Sequence, residues 1–582
     1  MGNEPFCPDS LPNQDTVKSH LVQPQSLRPE VFGFEWQSDG LKRVKVLKGK
    51  GEKKEYFLVV EPFSILGRAS DSEGNDPHLL IEFTDAKTRQ RQVLLQCSVF
   101  ALPREVFARL TKSGLVIASG EAHSLAQYLS IAQGKVPSNL QLTNRCGWLD
   151  NYVLMLPDGT IFGHAENGDR VLPHPDLFLN VKQTGGTLKG QRELLILARG
   201  NPFLLYAICV GFSGLLLKVL NVGSGGSHFY SASTVGKTIA QSVSYGLWTN
   251  PSPLPNWNAT GNSLEARAAA HSDNFIALNE IGQAEPKTLE TSVYRLGNES
   301  SRGRAYQDSQ AQNLKEWRLV YISSGELTLE EYIGKTKTGV DIRLVNIPVP
   351  DQGMFVDLHG FQDSGKFAEH LEREARLHFG HIGPLFAKQF QLELSSNPEE
   401  FKIELERLME EYMGNIHGKY LSKSSRQLTR VARRFAIAAV AGELVIRWKF
   451  LPWEPGEAMA ACSVVFEAYA DRQGRRDGED QRILEAIFEA IQLRPNAFAF
   501  KGATTNNTDC LGDRREHDGQ IYFGFTASGL KKVTGIKDTR RITRILDRQG
   551  WLDRDVPKSD RINKEVYNLY WIKPQAIEQF DS

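Results

Sequence analysis

The chain is short of the features that would staple it with metal or disulfides, or send it to a membrane. Its six cysteines, Cys7, Cys97, Cys146, Cys209, Cys462 and Cys510, are scattered with no C-x-x-C pair. That spacing argues against a zinc site or a disulfide framework and fits reduced intracellular thiols. Net charge is lacking as well, since 69 Lys and Arg balance 69 Asp and Glu. No global field draws the protein onto nucleic acid or membrane, and any basic surface must be local. Long apolar runs are almost absent. The longest, Phe203 to Leu217, falls short of the roughly 20 residues a membrane helix needs and contains two glycines, so it predicts a buried core helix. Residues Met1 to Phe6 offer neither a basic nor an apolar leader region, and Phe6 breaks the myristoylation pattern. The expected location is cytoplasmic.

What is present is a pair of separated segments with complementary chemistry. Residues 227–238 end in Gly236, Lys237 and Thr238, preceded by an apolar run and followed by helix-compatible sequence. Such a loop curls backbone N–H groups around phosphates, with Ser231, Ser233 and Gly236 in the cradle. Lys237 would reach the β/γ oxygens and the Thr238 hydroxyl would ligate Mg²⁺. The second segment, Phe275 to Glu280, reads as a buried strand ending in an acid. Glu280 would polarise an attacking water, and Asn279 stands where an Asp would hold the Mg²⁺ shell through water. Two departures matter. Ser231 replaces the first glycine of the G-x-x-x-x-G-K-[ST] pattern, and Asn279 keeps the shape of Asp without its charge. A third segment, Arg318 to Glu326, begins as a buried strand and ends in small polar residues, where Ser323 or Ser324, and of the two Ser324, would contact the attacking water. ATP and Mg²⁺ are the expected ligands.

A chain of 582 residues exceeds one compact core and predicts several domains. Residues 1–190 read as an α+β accessory module, with strands at Tyr56–Val60, Leu79–Phe83 and Gln92–Gln96 and helices at Arg104–Gly114 and Ala122–Ala132. No catalytic pattern stands out there, and His164 and His174 read as surface histidines. Residues 191–362 alternate helix and strand as an α/β nucleotide core. Residues 363–475 form a helical lid, with helices at Asp363–Phe379, Pro398–Met413, Leu428–Trp448 and Ala458–Ala470. Arg472–Asp480, charged and glycine-containing, reads as a linker. Residues 476–582 read as a winged helix. Its helix over 537–549 presents Arg541, Arg544 and Arg548 to DNA. Arg302, Arg304 and Lys315 flank a polar, turn-prone stretch that predicts a β-hairpin facing solvent or a pore.

Four blocks, Trp257–Asp273, Asn279–Gln283, Ile322–Glu326 and Gly339–Pro348, resemble the signature of a domain-of-unknown-function family of AAA+ P-loop ATPases from phages, plasmids and integrative elements. Relatives of that family are similar to minichromosome-maintenance-type replicative helicases. The resemblance implies an AAA+ core with a helical lid and a C-terminal winged helix, assembled as a hexameric ring with shared ATP sites. It also implies that Arg343 enters the neighbouring subunit's site as an arginine finger. The expected function is therefore an ATP-dependent DNA translocase or helicase, acting on single-stranded and duplex DNA in replication of a mobile element. Two alternatives stay open: an AAA+ switch without unwinding activity, and a winged-helix initiator with weak ATPase.

Overall fold

The computed structural model describes residues 26–47, 53–165, 168–180, 183–231, 236–301, 315–333, 340–416, 420, 426–500, 510–517, 519–553, 559–562 and 565–581. The chain divides into two compact units, Met1–Val181 with Gln391–Ser396, and Lys182–Phe390 with Asn397–Ser582.

The first unit holds a three-stranded antiparallel sheet, Phe34–Gln37, Gly40–Leu47 and Lys53–Val60, and a five-stranded mixed sheet. In the mixed sheet the spatial order is Arg170–Pro173, Ser138–Thr143, Phe63–Ser70, His78–Thr84 and Gln90–Gln96. The pairings place Pro173, His78 and Gln96 at one edge of it. Helices Pro103–Lys112 and Ala122–Ala132 bury Val106, Leu110, Leu125 and Leu129 in the same core as Val60, Phe63 and Ile81. Tyr128 is fully buried, so its hydroxyl must be satisfied internally. It donates to the Pro29 carbonyl at 2.8 Å and accepts from the Trp36 indole at 3.0 Å.

The second unit is built on four parallel strands in the order Asn274–Leu278, Leu319–Gly325, Gly225–Tyr230, Leu344–Pro348. All residues of the first three are buried, as a parallel sheet covered on both faces requires. The apolar run becomes helix Pro202–Ser213, opened by a proline whose missing N–H costs nothing at a first turn. It packs against helices Lys237–Tyr245, Arg426–Arg447 and Glu457–Leu493, with Tyr206 stacked on Phe435 at 5.0 Å. Among the described residues no helix is long and apolar enough to cross a membrane.

One expected break does not exist. Residues 472–480 lie inside a continuous helix, Glu457–Leu493. The two glycines there each cost about 1 kcal/mol. Apolar residues of this helix are packed on both sides of that segment, with Val465 and Phe466 buried before it and Ile487 and Phe488 after it, so propagation offsets the local loss. The C-terminal end of that helix closes a small core with helices Ala527–Thr534 and Thr539–Arg548 and a sheet that includes Gly512–His517, Gln520–Thr526 and Glu565–Ile572.

Candidate nucleotide site

The carboxyl edge of a parallel sheet, where strands lead into loops and helix N-termini, is where ligands bind in α/β folds. Here three strands deliver polar residues to that edge. Strand Gly225–Tyr230 runs into Ser231, and after residues 232–235 the chain resumes at Gly236 and helix Lys237–Tyr245. Ser233 lies outside the described residues. Gly236 has φ 92°, a left-handed conformation, and a Cβ there would meet the Phe355 ring at 2.7 Å. Backbone geometry and packing thus both demand glycine.

Lys237 is buried, and its ammonium curls back to donate to the Ser231 carbonyl at 2.8 Å and to Ser231 Oγ at 3.2 Å. Burial lowers its pKa from the ordinary lysine value, while the carboxylates of Glu280 and Glu326 act to raise it. A cation in this setting gains from anionic oxygens brought beside it, as phosphate would bring them. Thr238, in the first turn of the helix, is exposed.

Asn279 and Glu280 follow strand Asn274–Leu278 directly, and Glu280 takes φ 50°, rare for a residue with a side chain. The strand between theirs and that of Lys237 carries Ser324, whose hydroxyl donates to Asn279 Oδ1 at 2.9 Å and accepts from the Glu280 backbone N–H at 3.2 Å. Ser231, Gly236, Lys237, Thr238, Asn279, Glu280 and Ser324 therefore share one edge of the sheet.

Several supporting side chains escaped the sequence reading. Gln241, one turn beyond Lys237, donates to the carbonyls of Leu278 and Ile322 at 3.1 and 3.2 Å, tying the helix to both neighbouring strands. A polar residue on the buried face of an amphipathic helix was its only trace. Beneath the site runs a buried chain of hydrogen bonds. The Trp257 indole donates to Ser323 Oγ at 2.9 Å, Ser323 lies 2.9 Å from His228 Nδ1, and His228 Nε2 lies 3.0 Å from the Leu327 carbonyl. The carbonyl can only accept, so Nε2 carries the proton and Nδ1 accepts from Ser323. Burial pushes His228 down to about 4 and holds it neutral.

Arg343 stands elsewhere. It ends helix Val340–Arg343 and precedes strand Leu344–Pro348, and Leu344 pairs with Gly226 at the amino end of the central strand. Arg343 therefore sits at the sheet edge opposite Lys237. Its guanidinium lies over the Tyr294 ring at 4.8 Å and donates to Asn298 Oδ1 at 3.0 Å.

Of the residues expected to contact DNA, Arg302 and Arg304 lie outside the described residues. Lys315 is part of their flank, where Ser301 N–H donates to the Lys315 carbonyl at 2.8 Å and Ser300 pairs antiparallel with Glu316. Arg541 and Arg544 lie on helix Thr539–Arg548, and the side chain of Arg548 is outside those described. Arg541 pairs with Glu479 at 2.7 Å, and both Arg541 and Arg544 line a cleft of about 600 Å³ that also reaches Tyr230 and Glu330.

Residues 34–316 match the family described as Domain of unknown function (DUF927). No curated protein matches the chain. The solved structure titled "SCCmec type IV Cch - active helicase" is similar over 95% of this chain and 100% of its own, with 17% identity and a TM-score of 0.64. The two share a fold. A structure titled "The A form apo structure of NrS-1 C terminal region-CTR" aligns with 65% of this chain and 84% of its own, at 11% identity and a TM-score of 0.25, too slight to bear on the fold.

Proposed function

We propose that this protein is an ATP-dependent DNA translocase or helicase serving replication of a mobile genetic element, with an AAA+ P-loop core, a helical lid and a C-terminal winged helix, working as a hexameric ring. The observation that carries the reading is the convergence of Lys237, Asn279, Glu280 and Ser324 at the carboxyl edge of one parallel sheet. The shared fold with a structure titled an active helicase supports it.

The residues present fit a nucleotide and its metal. Gly236 clears the Phe355 ring where a Cβ would be blocked, and the Lys237 ammonium holds oxygens where phosphate oxygens would replace them. Thr238 and Asn279 would hold Mg²⁺, which supplies charge neutralisation at the β/γ-phosphates. Lys237 shares that charge. Glu280 accepts a hydrogen bond from the attacking water and orients it, and Ser324 fixes Asn279 and the Glu280 backbone in register. Ser231 and Ser233 would join the phosphate cradle.

Arg343 would act on the neighbouring subunit's nucleotide, neutralising charge that develops on the transferred phosphoryl group. The stretch bearing Arg302, Arg304 and Lys315 would follow one DNA strand through the ring, while Arg541, Arg544 and Arg548 grip duplex through phosphates. The Arg541–Glu479 pair makes the last contact conditional, because duplex must compete with a carboxylate for that guanidinium.

A strand-displacement assay with purified protein tests the reading. Unwinding that requires ATP and vanishes in Lys237→Ala is the expected result. Nucleotide hydrolysis indifferent to DNA, with no displacement, would favour a switch that assembles without unwinding.

A further inference from the structure

Three polar side chains of the first unit, none of them used by the nucleotide reading, meet at one edge of its five-stranded sheet. Asp76 and His78 lie where the chain enters strand His78–Thr84, and His174 follows strand Arg170–Pro173. His174 is half-buried rather than a free surface histidine, with Nε2 at 2.8 Å from Asp76 Oδ2. His78 is buried, its ring packed edge-on against His174 at 5.4 Å. One ligand atom from each of the three lies within 4.8 Å of the others.

From this juxtaposition we infer that Asp76, His78 and His174 form a binding site for a divalent transition-metal ion, with Zn²⁺ the best match to two imidazoles and one carboxylate. Such a donor set suits Zn²⁺ and its first-row neighbours and leaves a further position for water. The cysteine spacing that argues against a zinc site has no bearing on it, since no thiolate takes part.

The surroundings are those of a ligand set already oriented by second partners. His78 Nδ1 lies 2.7 Å from the Asp76 backbone carbonyl, which can only accept, and 3.9 Å from Asp76 Oδ2, so Nδ1 carries the proton and Asp76 fixes the ring. Gln96 Nε2 donates to Asp76 Oδ1 at 2.6 Å, which leaves Oδ2 turned to the histidines. His174 donates from Nε2 to that oxygen and accepts the Asp176 N–H at Nδ1, 3.2 Å away. The Nε2 proton occupies the place of the ion. A metal at Nε2 would require the Nδ1–H tautomer, which gives up the Asp176 N–H bond and would donate instead to the Asp176 carboxylate, now 3.9 Å away. Ligands at zinc distances stand about 3.3 Å apart across a tetrahedral angle, so the Asp76 and His174 atoms must part by about 0.5 Å while His78 draws in by about 1 Å, within the reach of side-chain rotation.

The site lies in the other unit from the nucleotide residues, so its test is independent of the ATPase reading. Chelator-stripped full-length protein, titrated with zinc chloride in the absence of nucleotide, should bind one equivalent that depends on the trio. His174→Gln and Asp76→Asn should each weaken that equivalent by about tenfold or more, while His164→Gln leaves it unchanged. No zinc on the wild type, or the same stoichiometry and affinity in both trio variants, overturns the inference. Should both variants misfold, the wild type decides. Zinc should protect His174 from carbethoxylation by diethylpyrocarbonate, mapped by mass spectrometry, and equal modification with and without zinc overturns the site.

Discussion

The Ser324 hydroxyl bonds Asn279 and the backbone of Glu280 together, donating to Asn279 Oδ1 at 2.9 Å and accepting the Glu280 N–H at 3.2 Å. Ser324 thus belongs to the geometry of both residues rather than to either alone. Ser324→Ala should lower the rate of ATP hydrolysis by about 10²-fold, comparable to loss of one organised polar contact at a reacting centre. Asn279→Asp retains the acceptor and adds charge, so it should reduce the Mg²⁺ concentration needed for half-maximal hydrolysis. Magnesium titrations of the steady-state rate check both, and a Ser324→Ala rate equal to wild type would remove the serine from the site.

Lys237→Ala should abolish turnover, because it removes the cation at the helix start whose ammonium folds back onto Ser231. Glu280→Gln should instead bind ATP and retain it unhydrolysed. Filter binding of labelled nucleotide alongside phosphate release separates the two outcomes.

Arg343→Ala should bind nucleotide normally and hydrolyse it about 10³-fold more slowly if the residue serves a neighbouring site. Mixing it with Lys237→Ala subunits should recover part of the activity, since a mixed ring pairs an intact loop with an intact finger. Its contacts with Tyr294 and Asn298 give a competing outcome that thermal melting can read. A lowered melting temperature with an unchanged rate per folded molecule would make the arginine structural.

Acid should weaken the fold through His228 and His271, both pushed down to about 4 by burial. A histidine depressed in the folded state binds its proton more readily when unfolded. The stability it contributes is complete above about pH 6.5 and is lost as pH falls toward 4, to the extent of about 3 kcal/mol for each. Denaturant melts between pH 7 and 4 should show this decline, and His271→Gln should flatten it.

Arg541, Arg544 and Arg548 replaced together should weaken duplex binding and flatten its salt dependence by about 0.9 log units per lost phosphate contact. Replacing Arg302 and Arg304 should leave duplex affinity in place and uncouple hydrolysis from unwinding. Binding titrations at several salt concentrations, run with an unwinding assay, distinguish them. An unchanged salt slope in the triple variant would show that this face is merely solvated.

Local chemistry sufficed for the elements with strong periodicity. Helix Ala122–Ala132 and strand His78–Thr84 follow from local composition, and the buried helix Pro202–Ser213 follows from an apolar run too short to span a bilayer. The positions of Lys237, Thr238 and Glu280 just beyond strand ends were legible from the apolar runs before them. Sequence alone could not carry the chain through residues 472–480, where helix persistence depends on packing at both ends of Glu457–Leu493. Nor could it join His174 to Asp76, 98 residues away, or Ser323 to His228 and Trp257. Those partnerships arise from strand order. Register in a sheet brings distant residues to one edge, and buried polar groups then take whichever partners the fold supplies, because leaving them unbonded costs about 1–3 kcal/mol each.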